Sequence, residues 1–173
     1  MELKDHIASI PGFPKEGIVF RDITPILADP EAMQYVTDEI VKFARETGAT
    51  KIVAPEARGF LFGVPAAMEA KIGFAPVRKP GKLPRETISE EYALEYGTDR
   101  LEMHKDAIEK GDRVLVVDDL LATGGTVEAI EKMVSRLGGE TVGLAFVIEL
   151  DDLKGREKFG DLPVLVLTHY EGE

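Results

Sequence analysis

Residues 114–126 read VLVVDDLLATGGT: four apolar residues, two adjacent carboxylates, and then a small hydroxyl-bearing loop with two glycines. A glycine-containing turn that enters a helix aims several free N–H groups at one point, and the helix dipole favours an anion there. Thr123 and Thr126 add hydroxyl donors, while Gly124 and Gly125 let the main chain approach closely. The pattern is that of a phosphate cradle. No Lys follows the glycines, so it is not a GxxxxGK[ST] loop, and GxGxxG is absent as well. Asp118 and Asp119 precede the cradle, where ionised carboxylates find partners in sugar hydroxyls or a hydrated divalent cation. Phosphate on one side and two acceptors on the other describe a ribose 5-phosphate.

Two further segments carry cations. Arg58 stands in PEARGF, and Arg78, Lys79, Lys82 and Arg85 cluster in VRKPGKLPRE. The cluster is set in a chain of net charge -11, which argues against a broad nucleic-acid footprint and leaves a local anion site as its functional reading. With 0 cysteines, a disulfide framework, a Cys-ligated zinc site and a thiol nucleophile are all excluded. His6, His104 and His169 are isolated and lack metal-ligand spacing. The opening MELKDHIASI has charges where a signal peptide needs an apolar core, and no apolar run approaches the ~18 residues of a membrane span. A cytoplasmic protein is expected.

The elements that must position these residues alternate between strand and helix. Met33, Val36, Ile40 and Phe43 recur at helical spacing after ADPEA, which predicts a helix over 30–47. A short strand over 52–54 follows, then a helix with Phe60, Leu61, Val64 and Met68 on its apolar face and Pro65 as a kink or late first-turn residue. FAPVRK is a strand, and a Gly, Pro and charge-rich loop then runs to about residue 100, long enough to be functional or mobile. DRVLVVDD reads as a central parallel strand, and Val127, Ile130, Met133, Val134 and Leu137 form the stripe of the next helix, which stops at Gly138 and Gly139. TVGLAFVIEL and LPVLVLTHY supply two more strands. The expected fold is α/β, a mainly parallel twisted sheet flanked by helices in one domain over 1–173. Loops leaving the carboxyl ends of such strands form the ligand crevice, and all three chemistry-bearing segments lie on such loops.

VLVVDDLLATGGT resembles the ribose-phosphate signature of the type I phosphoribosyltransferases. PGFPKEGIVFRDITPIL, EARGFLFG, VRKPGKLP, LEYG and DDLKGREKF, in that order, resemble the adenine-specific branch of the family, and the likeness runs from about residue 10 to 159. The resemblance implies transfer of the 5-phosphoribosyl group from phosphoribosyl pyrophosphate to adenine with Mg2+, giving AMP and pyrophosphate. It implies that Ala122, Thr123, Gly124, Gly125 and Thr126 hold the 5-phosphate. Asp118 and Asp119 then face the ribose hydroxyls or the metal, directly or through water. Arg58, with Arg78, Lys79 and Lys82, would take the pyrophosphate, a role suited to a guanidinium at a helix start. The pyrophosphate loop often holds a non-proline cis peptide in this fold, which falls here at about Glu56–Ala57. Some members have Asp-Ser at those positions, so no side-chain hydroxyl acts there in this chain.

Residues 1–30 would form a hood that binds adenine through the main chain of Val19 and Arg21, with the base stacked on Phe20. Residues 79–100 would form a mobile lid that excludes water from an oxocarbenium-like centre. Glu95 matches the family's carboxylate near the base, a candidate to move a proton at the purine, and Tyr96 lies beside it. A homodimer is expected from the resemblance, with no nucleic-acid or membrane partner. Two rivals remain. The same fold with another purine or a pyrimidine is one, and a nucleic-acid-binding regulator is the other; the acidic balance and the lack of a helix-turn-helix extension count against the second. A phosphoacceptor receiver domain would need a further strand-end Asp and a later strand-end Lys, and neither pattern appears.

Overall fold

The computed structural model describes residues 1–94 and 97–172. Short strands β1 (Ala8–Pro11) and β2 (Val19–Asp22) pair antiparallel at the amino end. There follow α1 (Thr24–Ala28), α2 (Pro30–Thr47), β3 (Lys51–Pro55), α3 (Arg58–Ala70) and β4 (Gly73–Val77). An antiparallel pair, β5 (Thr87–Leu94) and β6 (Gly97–His104), precedes β7 (Arg113–Leu121), α4 (Gly125–Arg136), β8 (Glu140–Leu150) and β9 (Val164–Tyr170).

The central sheet is five-stranded and parallel, in the order β4-β3-β7-β8-β9. From β3 the chain steps outward to β4, and from β7 it steps the other way to β8 and β9. The strand order therefore reverses between β3 and β7, where a crevice opens beyond the carboxyl ends of the strands. Val114, Leu115, Val116 and Val117 are all fully buried, as a strand covered on both faces requires. One face is covered by α2 and α3, around Val36, Ile40, Phe62 and Leu115. The other is covered by α4 and by β6, whose Leu101 and Met103 join Val116, Ile130 and Met133.

The 30–47 helix forms as the spacing predicts. Asp29 caps it by accepting from the Glu31 N–H at 3.0 Å, Pro30 opens the first turn, and Gly48 ends it in the left-handed conformation. Of the stripe read on α4, Val127, Ile130, Met133 and Val134 are buried, while Leu137 lies just past the helix end and is half-buried.

Two readings are corrected. The apolar face expected on α3 points outward: Leu61 is 40%, Val64 37% and Met68 73% exposed. Only Phe60 of that set finds cover, edge-on against Phe74 with ring centroids 5.8 Å apart. The buried face is Gly59, Phe62, Gly63, Ala66 and Ala67. The helix packs so close to the sheet that a Cβ on Gly63 would lie 2.8 Å from the Phe74 ring. Small residues, rather than bulky ones, decide which side can approach. Pro65 sits inside α3, past its first turn.

The second correction concerns the long loop. Only its first part is irregular, and from Thr87 it is a two-stranded hairpin. Alternation drives this, since Leu101 and Met103 bury while Arg100 lies exposed between pairing partners. Among the described residues, no helix is long and apolar enough to cross a membrane.

Candidate active site

The crevice at the β3–β7 switch is built from the ends of three strands. β7 carries Asp118 and Asp119 to its rim, where both carboxylates line one cavity. Asp119 is 6% exposed and would be an isolated buried charge but for Arg58. The Arg58 Nε donates to Asp119 Oδ2 at 2.6 Å from the first turn of α3. Asp118 Oδ1 accepts from the Asp119 N–H at 2.8 Å. Burial first, and then the neighbouring charge of Asp119, push the Asp118 carboxyl well above the ordinary carboxylate range.

Beyond the carboxylates the chain turns through residues 122–126 into α4. Gly124 takes φ +88° at the helix start, and no side chain caps the helix. Its first N–H groups are thus left to whatever enters the turn. Residues 122–126, with Asp118, Leu120, Leu121 and Val127, line a cavity of about 90 Å³. A second cavity, of about 190 Å³, is lined by Pro55, Glu56, Arg58, Lys79, Tyr92, Leu101, Asp118, Asp119 and Thr126. Asp118 and Thr126 belong to both walls. An anion cradle and a cation-bearing chamber therefore adjoin through a carboxylate and a hydroxyl.

Of the two cationic residues lining the second cavity, Arg58 is engaged with Asp119, and a network around Glu56 adjoins Lys79. Arg78 Nε donates to Glu56 Oε1 at 3.0 Å, and the Lys79 N–H donates to the same oxygen at 2.9 Å. The Lys79 N–H, with Arg78 behind it, holds the Glu56 carboxyl below the ordinary range despite some burial. The Glu56–Ala57 peptide bond is cis, at the position expected. Of the basic cluster, Lys79 lines the cavity, Arg78 reaches it through Glu56, and Lys82 is exposed outside its wall. Arg85 turns away to Asp106 at 2.6 Å.

The amino-terminal hairpin reaches the crevice through Phe20. This ring is half-exposed rather than core, meets Phe13 edge-on at 5.2 Å, and lies 5.5 Å from the Arg58 guanidinium carbon. The Arg21 side chain points elsewhere, stacking 4.0 Å over Tyr170 and donating to Ser9 Oγ at 2.5 Å. Neither Val19 nor Arg21 lines either cavity. Glu95 and Tyr96 lie outside the described residues.

Four residues of the second cavity escaped the sequence reading of the site: Pro55, Tyr92, Leu101 and the Glu56 side chain. Alternation across TISEEYAL and GTDRLEMH would have exposed the hairpin and put Tyr92 and Leu101 on its inner face. The Tyr92 ring lies 4.0 Å from a Cβ built on Gly125, so β5 leans on the cradle. Elsewhere, Glu149, Asp151 and His169 bring metal-competent atoms within 4.8 Å of one another. Arg156 already binds both Glu149 oxygens there, which makes the cluster an ion-pair network.

A parallel sheet with paired Asp at the end of its central strand, followed by an uncapped helix start, defines a class. The chain belongs to the phosphoribosyltransferase family: the family model described as "Phosphoribosyl transferase domain" matches residues 24–168. Within that class the chain is similar to solved adenine phosphoribosyltransferases. The enzyme from Thermoanaerobacter pseudethanolicus is 52% identical with a TM-score of 0.94, over 98% of each chain. That from Rhodothermus marinus is 49% identical with a TM-score of 0.91, over 97% of this chain and 96% of that one. The Saccharomyces cerevisiae enzyme, solved with an imino-altritol bisphosphate and adenine, is 42% identical with a TM-score of 0.90, over 96% of each.

Proposed function

We propose that the protein transfers the 5-phosphoribosyl group of phosphoribosyl pyrophosphate to adenine, releasing AMP and pyrophosphate, and so salvages a purine. The observation that carries the reading is the pair of adjoining cavities with Asp118 and Thr126 in their common wall. In this reading the smaller takes the 5-phosphate and the larger the pyrophosphate, with the ribose between them at the carboxylates. The likeness to adenine phosphoribosyltransferases over nearly the whole chain supports adenine as the base.

In this reading the N–H groups of residues 122–126 and the Thr123 and Thr126 hydroxyls bind the 5-phosphate. Asp118 and Asp119 accept from the ribose hydroxyls, and their oxygens are also the donors on offer to Mg2+, a hard cation that takes such ligands. When bound, Mg2+ would neutralise charge on the pyrophosphate. Arg58 and Lys79 stabilise that group as its bond to the ribose C1 breaks, and Arg78 follows by exchanging Glu56 for it. The new bond forms between C1 and a purine nitrogen, whose proton leaves with the help of Glu95. Phe20 offers a face to the base, and the β5–β6 hairpin, with Tyr92 inward, keeps water from the reacting carbon.

Two further parts belong to this reading. The first is a cytoplasmic setting. The second is a homodimer, for which the bare ridge of Leu61, Val64 and Met68 on α3 is the natural seat. An assay of purified protein with adenine, phosphoribosyl pyrophosphate and Mg2+ should yield AMP. Preference for guanine or hypoxanthine would assign a different base, and no pyrophosphate release with any base would overturn the reading.

A further inference from the structure

We propose that residues 151–159 are a positioning strap for the 5-phosphate loop, with Gly155 and the Glu149–Arg156 ion pair as its working parts. The inference rests on the function proposed above. It begins from a deficiency in the loop itself. Residues 122–126 are Ala, Thr, Gly, Gly and Thr, and the helix they open has no side-chain cap. Such a loop lacks the means to fix its own shape, yet its N–H groups must converge on one anion. Something outside it must supply the constraint.

The chain that leaves β8 supplies it. Two short 3-10 turns, Asp151–Leu153 and Gly155–Phe159, carry it back beneath the loop. Gly155 lies main chain to main chain with Ala122, so close that a Cβ built on it would fall 2.3 Å from the Ala122 carbonyl oxygen. A Cβ on Gly124 would meet the Gly155 carbonyl oxygen and the Phe159 ring, each at 3.1 Å. Phe159 is only 8% exposed. The strap therefore touches the loop at both Ala122 and Gly124, the first residue and the left-handed one.

The strap is tied down where the loop begins. Glu149 pairs in register with Leu121, the residue just before Ala122, and is 4% exposed. Arg156 grips its carboxylate with a fork, Nε to Oε2 at 2.9 Å and Nη2 to Oε1 at 2.5 Å. A second tie joins Asp151 to His169 on β9 at 2.8 Å, and the Gly172 N–H donates to Asp152 at 2.7 Å. A guanidinium fork fixes direction as well as distance, which an ammonium does not. These residues reach the substrate only through the loop, so they position rather than catalyse.

The test uses Gly155→Ala and Arg156→Lys in the full-length protein, with AMP and pyrophosphate titrated separately in the presence of Mg2+. Both variants should weaken AMP about tenfold, because small misplacements of binding groups cost that much, while pyrophosphate changes less than about twofold. Without ligand, amide exchange at residues 124–126 should quicken about tenfold in Arg156→Lys, with α2 unchanged. If Gly155→Ala does not fold, Arg156→Lys carries the test alone. Equal losses for AMP and pyrophosphate, or unchanged AMP binding in a folded variant, would overturn the strap. Wild-type protein that binds neither probe would overturn the functional reading instead, and the exchange experiment would still judge the contact.

Discussion

The two halves of the crevice hold anions by different means. The cradle at residues 122–126 uses main-chain donors at an uncapped helix start, and no carboxylate competes for them. The chamber beside it uses side chains, and two of the guanidinium groups at it are already paired, Arg58 with Asp119 in its wall and Arg78 with Glu56 behind it. A ligand entering the cradle replaces water, whereas one entering the chamber must also displace a carboxylate. The first half is preorganised and the second exchanges partners, which suits a group that is held throughout and a group that departs.

The sharpest way to break this contrast is Arg58→Ala. It should lower turnover by about 10²–10³, the usual loss when one preorganised donor to developing charge is removed, as read by steady-state rates. Full activity at limiting phosphoribosyl pyrophosphate would show that Arg58 does not serve the pyrophosphate. The cradle is broken by Gly124→Ala, since a side chain there meets both an unfavourable φ and the Gly155 carbonyl. Thermal unfolding should show a loss of about 1–3 kcal/mol. Gly125→Ala is the control, because its new Cβ finds nothing nearer than 3.9 Å and should leave stability near wild type.

Glu56→Gln tests partner exchange directly. Removing the competing charge should tighten pyrophosphate by up to about fivefold, the scale of a partly exposed pair, as read by calorimetry. Weaker binding would make Glu56 an organiser of Arg78 and Lys79 rather than a rival for them. The smallest effect expected is on pH. Asp118 titrates above its unfolded value, so the folded state holds its proton longer and loses stability as pH rises from about 4 through the raised folded pKa. Asp118→Asn lacks that loss, and its melting temperature relative to wild type should climb between pH 4 and 8.

The sequence reveals most where local signals and tertiary demands agree. Asp29, Pro30 and Gly48 mark both ends of α2, and the four consecutive apolar residues Val114 to Val117 of β7 leave no alternative to a central strand. It misleads on α3, where bulk suggests burial but close approach to the sheet selects Gly59, Gly63, Ala66 and Ala67. The hairpin is hidden because its own charged residues, and the Gly- and Pro-rich stretch just before it, outweigh a period-2 pattern in the tally of residue types. For the crevice, the types and order of groups were readable, but their pairing was not. That Arg58 would meet Asp119 across 61 positions depends on the reversal of strand order, which only the packed sheet creates.

One helix joins two of these themes. α3 begins with Arg58 and further along shows Leu61, Val64 and Met68 to the outside. Being a single rigid rod, it cannot settle against a neighbour without also setting the tilt of the guanidinium at its tip. On the homodimer reading proposed above, dilution would become a chemical variable: a partner that covered the ridge at high concentration and left it at low would also shift Arg58.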